Sequence, residues 1–323
     1  MSPDVSILIV TYRCRDAARA CLASLRDTVS LPHEIVVLDN ASGDGTVEMV
    51  REEFPGVRLI ASEENLGFAL GCNRAAEEAR GEYLLLLNPD TVVHEGAVGN
   101  LLAFARAHPE HGLYGGRTLD PDGSVNPGSC WGAPTLWSLF CFATLLTSAF
   151  KRTRLFDPES LGGWKRDTVR EVDIVTGCLL LAPRSLWREL GGFDTRFFMY
   201  GEDADLSLRA AALGYRPAIT PDAVVTHEIG VSSAAREDKL LLLFRGKATL
   251  LRKHWRGLRL RLGLGLLAAG LGLRSLLSRG GGGAPSPWTQ VWRSRDDWLA
   301  GYPEPESPPS PQSAAAGEIG AAP

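Results

Sequence analysis

Three acidic clusters sit where apolar runs stop: Asp39-Asn40-Ala41-Ser42 after "EIVVL", Asn88-Pro89-Asp90 after "YLLLL", and Glu202-Asp203-Ala204-Asp205 after Met199-Tyr200-Gly201. A carboxylate at Asp39 can accept from a ribose hydroxyl or a base N–H, and one at Asp90 can hold a divalent cation that bridges a diphosphate. A carboxylate at the start of a helix can take a proton from an incoming hydroxyl. Combined, these are the needs of a nucleoside-diphosphate site with a general base. Each cluster also has a purely structural reading. Asn-Pro-Asp is turn chemistry, because Pro cannot donate to a continuing ladder. Ser42, Asp44 and Thr46 suit a turn and an N-cap. Asn65 and Gly67 suit a turn that leaves Asn73 exposed on a helix. Acids in a first helical turn complement the macrodipole, and Asp205 with Arg209 makes an i, i+4 pair, so Asp205 is assigned that structural role.

The elements that must position these acids alternate in type. Strands are expected at residues 5–12, 34–40, 57–62 and 83–88, and helices at 14–28, 44–53, 67–80 and 95–107, the first with Cys21, Leu22 and Leu25 on its buried face. Apolar strands separated by amphipathic helices imply an α/β architecture with a parallel sheet covered on both faces. In such a sheet ligands bind outside the carboxyl ends of the strands. Thr11, Tyr12 and Arg13, then Asp39, Asn40 and Ser42, then "NLGFALGCN", then Asp90 all fall on that rim. Further on, residues 131–150 form an apolar stretch too short to span a bilayer, which reads as a buried or interfacial helix. A strand over 172–183 and helices at 184–190 and 234–255 follow. A C-terminal amphipathic helical extension is expected in "RGLRLRLGLGLLAAGLGLRSLL", although its glycines weaken helix propensity. Past Gly280 the Gly, Pro and Ser content predicts disorder, except for "WTQVWRSRDDWL".

With 323 residues, 45% hydrophobic and 22% charged, the chain has a globular composition and enough length for one large domain with appendages. Its six cysteines (Cys14, Cys21, Cys72, Cys130, Cys141 and Cys178) lack metal-like spacing, which predicts reduced thiols in a cytosolic compartment. The first strand-like run begins at Val5 and leaves no room for a leader, so secretion is not expected. Between Lys239 and Arg279 there are ten Lys or Arg and no acid; the formal −4 less these ten cations leaves −14 for the remainder. Leucines interleave this basic run, which suits an anionic membrane surface better than nucleic acid.

Taken in order, "VSILIVTYR", "IVVLDNASGDGT", "ENLGFALGCNRA", "YLLLLNPDT", "VDIVTGCLLL", "GGFDTRFFMYGEDADLSLRAAALGY" and "VVTHEIGVSS" give the chain a resemblance, over roughly residues 4–255, to glycosyltransferase family 2. These are inverting nucleotide-sugar transferases of GT-A fold, and the rhamnosyltransferase-like bacterial members are the most similar. The resemblance implies a nucleoside pocket lined by Thr11, Arg13 and Asp39, with Gly67 and Asn73 nearby. It implies Asp90 as the last acid of the family's D-x-D metal motif, with Asn88 in place of the first, and His227 completing the shell of Mg2+ or Mn2+. One charge fewer weakens divalent binding. It implies Asp203 as general base, with Glu202 positioning it or the acceptor. The expected donor is dTDP-rhamnose or a UDP-sugar, the acceptor a lipid-linked or polysaccharide hydroxyl, and the location cytoplasmic, peripheral at the inner face of the cell membrane. The expected division is a transferase domain over 1–255 with halves 1–120 and 121–255, a basic apolar membrane-associating segment over 256–279, and a disordered tail over 280–323. Single displacement inverts the anomeric centre and needs a base but no enzyme nucleophile. A dehydrogenase fails on the absent G-x-G-x-x-G after the first strand, and a sugar-nucleotide pyrophosphorylase on "TYRCRDAARA", where a Gly-rich basic loop is expected. A non-catalytic nucleotide-sugar-binding or scaffold protein of the same fold is the alternative.

Overall fold

The computed structural model describes residues 3–227, 236–278 and 286–304. The amino-terminal half follows the alternation of the sequence: β1 Val5–Thr11, α1 Arg15–Thr28, β2 His33–Asp39, α2 Thr46–Glu53, β3 Arg58–Ala61, α3 Gly67–Glu77, β4 Tyr83–Leu87, β5 Thr91–Val93 and α4 Ala97–Ala107. Strands β3-β2-β1-β4 are parallel neighbours, and Thr11 pairs with Asp39 at the carboxyl rim. Because strand side chains alternate, Ile7, Ile9 and Leu85 pack on one face against Cys21, Leu22 and Leu25 of α1 and Leu101 of α4. Leu8, Leu38, Leu84 and Leu86 pack on the other against Ala69, Cys72 and Ala75 of α3.

The second half adds β6 Tyr114–Leu119, β7 Cys130–Trp131, α5 Leu136–Ala143, α6 Leu146–Ala149, β8 Arg170–Glu171, β9 Ile174–Val175, β10 Leu179–Pro183, α7 Arg184–Leu190, α8 Glu202–Ala212 and β11 Ala218–His227. The main sheet runs β3-β2-β1-β4-β10-β6-β11-β5, with β8 on β11. β10, β5 and β8 oppose the common direction of the rest, so the sheet is mostly parallel, as expected, with antiparallel insertions. The strand expected over 172–183 is two strands. The backbone leaves β9, which pairs with β7, and re-enters the main sheet as β10, with Thr176-Gly177-Cys178 between them. The single helix expected within 131–150 is also divided, because Leu145 adopts a left-handed conformation at φ 64° between α5 and α6.

The carboxyl-terminal helices are α9 Arg236–His254, α10 Gly257–Leu277, α11 Pro287–Arg293 and α12 Arg295–Ala300. They build a third core from Leu139 of α5, Phe244, Leu251 and Trp255 of α9, Leu267 and Leu271 of α10, and Trp298 of α12. α10 is continuous despite its glycines, since these are contact points. A Cβ at Gly263 would collide with Trp255, one at Gly270 with Phe142, and one at Gly272 would press on Trp292. Close packing thereby offsets the propensity cost of about 1 kcal/mol per glycine. The stretch "WTQVWRSRDDWL", excepted from the expected tail, falls in α11 and α12. Trp298 is fully buried, and the Tyr302 hydroxyl donates to the Met199 carbonyl at 2.8 Å, so this segment docks back on the body. Trp288, Val291, Trp292 and Trp298 supply the apolar stripe that packs into this third core. The remainder of the expected tail, 280–285 and 305–323, lies outside the described residues, as does 228–233 of the "VVTHEIGVSS" stretch.

Candidate functional site

Asp39 ends β2 with its carboxylate buried and its geometry fixed by neighbours. Oδ1 accepts from Thr11 Oγ1 at 2.8 Å and from Ser42 Oγ at 2.5 Å, and Oδ2 accepts from the Ser42 amide at 3.0 Å. Ser42 Oγ in turn accepts from the Arg13 amide at 3.0 Å. Arg13 is left-handed at φ 51°, which turns its guanidinium over the Tyr12 ring, 5.2 Å from the centroid. The fold therefore unites Thr11, Arg13 and Asp39, and adds Ser42, which the sequence offered both as a rim residue and as a turn residue. Asp44 accepts from the amides of Arg15 and Thr46 at 3.1 Å each, so it joins α1 to α2 as the structural reading expected.

Gly67 and Asn73 are each fixed by contacts to other parts of the chain. Asn40 accepts from the Leu66 amide at 3.1 Å and donates to the Gly67 carbonyl at 3.0 Å, holding the start of α3 to the end of β2. Gly67 has φ +78°, and a Cβ there would overlap the Phe198 carbonyl and come within 2.6 Å of its ring carbon Cδ2. The next amide, Phe68, donates to that carbonyl at 2.8 Å. Asn73 donates through Nδ2 to the Phe193 carbonyl at 2.8 Å and accepts from the Phe193 amide at 2.9 Å. Both residues tie α3 to the 192–201 loop, and the Asn73 amide is engaged at both ends.

A second cluster forms where β5 meets β11. The register sets His227 opposite Thr91, directly after Asp90. His227 Nε2 lies 3.0 Å from Asp90 Oδ1 and 3.5 Å from Asn88 Nδ2, and both acidic and imidazole side chains are about one-sixth exposed. β5 is three residues long and follows the turn directly, so the sequence did not reveal it, yet it brings His227 across 137 residues to Asp90. One carboxylate, one imidazole and one amide converging in this way can hold a divalent cation. The amide in place of a second carboxylate leaves such a site with one negative charge.

The third cluster opens α8. Asp203 is half-buried; its Oδ2 accepts from the Gly177 amide at 3.2 Å and its Oδ1 from the Ala204 amide at 2.7 Å. Gly177 belongs to the break between β9 and β10, and no side-chain signal could have announced this donor. Glu202 is buried, with Oε2 lacking any hydrogen-bond partner among the described residues. Burial, and then the adjacent Asp203 charge, hold the Glu202 carboxyl well above the usual carboxylate range. Burial also raises Asp203, against which its two backbone donors work. Of the pair, Glu202 retains the proton more strongly, since it is the more deeply buried and the Gly177 and Ala204 amides both favour the Asp203 anion. Asp205 contrasts with both. It is fully buried, accepts from Arg209, Lys253 and His254 at 2.7, 2.8 and 2.9 Å, and its pKa falls to about 2 because these partners outweigh desolvation. It cross-links α8 to α9, as the structural reading expected.

The clusters share one neighbourhood. Burial chiefly, with the charges of Asp90, Asp44 and Asp39 adding, pushes the Cys14 thiol up to about 11. Burial chiefly, with Asp203 and Asp90 adding, raises Cys178. Asp90 thus lies within electrostatic reach of thiols that also feel Asp39 on one side and Asp203 on the other. The arrangement offers a held carboxylate, a cation-binding cluster and a raised carboxylate on one rim.

The family model described as "Glycosyl transferase family 2" matches residues 6–171. An N-acetylglucosaminyl-diphospho-decaprenol L-rhamnosyltransferase of Mycobacterium tuberculosis is 32% identical over 246 residues, covering 70% of this chain and 76% of that protein. The O-antigen biosynthesis protein RfbC of Myxococcus xanthus is 27% identical over 241 residues, covering 72% of this chain and 18% of that protein. Among solved structures, the mannosyltransferase PcManGT of Pyrobaculum calidifontis, in complex with GDP-Man and Mn2+, aligns with a TM-score of 0.56 at 18% identity over 93% of this chain and 86% of its own. TarS 1-349 of S. aureus, in complex with UDP, aligns with a TM-score of 0.51 at 18% identity over 86% and 74%. The solved structures establish the fold, a GT-A glycosyltransferase architecture.

Proposed function

The chain belongs to glycosyltransferase family 2, and from that premise we propose that it moves L-rhamnose from a nucleoside-diphosphate donor to a hydroxyl of a lipid-linked acceptor, with inversion at the anomeric carbon. Membership makes it an enzyme, which sets aside the non-catalytic scaffold. The sugar and acceptor rest on the mycobacterial relative, whose name states both an L-rhamnosyl donor group and a diphospho-decaprenol acceptor. The observation that carries the mechanism is the meeting of Asp39, the Asn88–Asp90–His227 cluster and Asp203 on one sheet rim.

In this reading Asp39, aligned by Thr11 and Ser42, accepts from the donor's nucleoside, and Arg13 with Tyr12 flanks it. Asn88, Asp90 and His227 are the residues that would hold a divalent cation, Mg2+ or Mn2+. When bound, such a cation neutralises charge on the departing diphosphate. Asp203 takes the proton of the acceptor hydroxyl as the new C–O bond forms and the bond from the anomeric carbon to the diphosphate oxygen breaks. Its raised affinity for protons suits that task, because a base works best with a pKa nearer the working pH. Glu202, keeping its proton, leaves the pair with a single negative charge and positions Asp203 without competing for the acceptor's proton.

We further propose that the enzyme works at the cytoplasmic membrane surface, through residues 256–279 and the aromatic patch beside them. α10 is the one helix among the described residues long and apolar enough to cross a membrane, and a third of its apolar window is buried in the protein. Leu258, Leu262, Leu276 and Leu277 of α10 are exposed, as are Trp137, Phe140 and Phe150 on and beside the helices it packs against. Arg256, Arg259 and Arg261 lie among them, which fits an anionic leaflet. The test of function is a transfer assay with dTDP-rhamnose, UDP-sugars and GDP-mannose against a short-chain polyprenyl-diphosphate-GlcNAc acceptor. Transfer from dTDP-rhamnose alone supports the reading, and selective transfer from another donor overturns the sugar assignment.

A further inference from the structure

At the amino end of the sheet, opposite the rim that carries the acids, a single 3-10 turn over Pro109–His111 gathers three metal-ligating groups. Ligand atoms of His108, Glu110 and His111 all lie within 4.8 Å of one another. Glu110 Oε1 is 3.4 Å from His108 Nδ1 and 4.0 Å from His111 Nε2. Bonds of about 2.0 to 2.1 Å from a tetrahedral zinc ion place its ligand atoms about 3.4 Å apart, so the three groups stand near the required spacing.

His111 is the fixed member. It is buried, and its Nδ1 faces the Arg216 carbonyl at 2.7 Å. A carbonyl only accepts, so Nδ1 carries the hydrogen and Nε2 keeps its lone pair toward Glu110, the tautomer of a metal ligand braced from behind. The turn itself is held. The Arg216 amide donates to the Glu110 carbonyl at 3.2 Å, the Tyr114 hydroxyl donates to the His108 carbonyl at 2.9 Å, and Phe104 packs against both imidazoles. Solvent reaches the turn, since the His108 and Glu110 side chains are both nearly half exposed, so a metal held by the three groups has room for a fourth ligand.

We propose that His108, Glu110 and His111 form a site for Zn2+, with water or a small anionic ligand in the fourth position, on the solvent side. Two imidazoles and one carboxylate select a borderline transition metal over Mg2+, which prefers oxygen and keeps its waters. The site tethers the end of α4 to the start of β11, because Arg216 lies two residues before that strand. It stands apart from the proposed catalytic cation and does not depend on the transferase reading.

The experiment uses the full chain carrying Asp90→Ala and His227→Ala, so that the rim cluster contributes nothing. Zn2+ is titrated against a chromophoric chelator, and thermal unfolding is followed with and without Zn2+. One zinc equivalent should bind, with a rise in melting temperature that follows ligand concentration. Adding His108→Ala and Glu110→Gln, both at exposed positions, should weaken binding by at least about 100-fold and abolish the rise, since second-shell changes alone cost 10- to 100-fold. Co2+ in place of Zn2+ should give the visible absorption of a tetrahedral ion only when the three residues are intact. Zinc affinity and thermal shift unchanged by those two substitutions would overturn the proposal, as would a rim-deficient chain that binds no zinc.

Discussion

Replacing Gly67 by Ala tests whether this residue joins α3 to the loop that leads into Asp203, the proposed base. Two costs follow from its geometry. An L-residue at φ +78° loses roughly 1 to 2 kcal/mol. The new methyl also occupies the place of the Phe198 carbonyl and ring, and the displacement breaks the Phe68 to Phe198 hydrogen bond, worth about 0.5 to 1.5 kcal/mol. Gly43 isolates the first cost, because it is left-handed at φ +62° yet its Cβ would meet nothing within 4 Å. Gly43→Ala should therefore lose about 1 to 2 kcal/mol, and Gly67→Ala about 2 to 4 kcal/mol including the clash. At roughly 2 °C per kcal/mol for a large domain, Gly67→Ala should melt about 4 to 8 °C lower than the parent and clearly below Gly43→Ala. Because Phe198 leads into Gly201 and Asp203, kcat of Gly67→Ala should also fall well below the parent's, while that of Gly43→Ala stays near it. Equal melting temperatures and equal kcat for the two variants would refute the close approach and the coupling drawn from it.

Glu202→Gln should stabilise the protein at neutral pH. A carboxyl whose folded pKa is raised contributes stability that is complete below its unfolded value of about 4.3 and is lost as pH climbs toward the folded one, so the variant's gain should vanish near pH 4 and grow toward pH 8. A melting difference independent of pH would contradict the buried, protonated Glu202. Asp90→Ala should weaken donor binding in Mg2+ or Mn2+ but not in EDTA, whereas Asp39→Ala should weaken it in both; isothermal titration under the two conditions distinguishes them, and equal losses for Asp90→Ala make it a turn residue. Flotation with anionic liposomes should carry the full chain, be reversed by salt, and fail when Leu258, Leu262, Leu276 and Leu277 are changed to Gln, with each engaged Lys or Arg contributing up to about 1 kcal/mol. Equal flotation with neutral lipid, or no effect of the four substitutions, removes α10 from the membrane surface.

Local signals in the sequence were sufficient for the alternating elements up to residue 107, because apolar runs and helical periodicity are properties of short windows. The Asp39 corner was legible for the same reason, since Thr11 and Asp39 end adjacent strands. The direction of β10 was not, because a strand buried on both faces reads alike whichever way it runs. Asn73 and Gly67 marked a rim but not their partners, Phe193 and Phe198, which lie over a hundred residues away. The Gly177 amide that holds Asp203 carries no side chain to notice. In α10 a helix was expected, but what its glycines do was not legible, because their contacts with Trp255, Phe142 and Trp292 come from distant parts of the chain.

Asp203→Asn preserves size and one of the two backbone contacts, with Ala204 or Gly177, because an amide has one accepting oxygen, while removing the proton acceptor. Single-turnover transfer, with donor titrated in parallel, measures its role most directly. Donor affinity should stay near that of the parent, and the transfer step should slow by at least about 100-fold, the lower range for loss of a positioned general base. A residue that merely starts α8 would show a small fall in melting temperature and normal transfer, since Asn serves well at a helix start. Full-rate transfer by Asp203→Asn would contradict the mechanism.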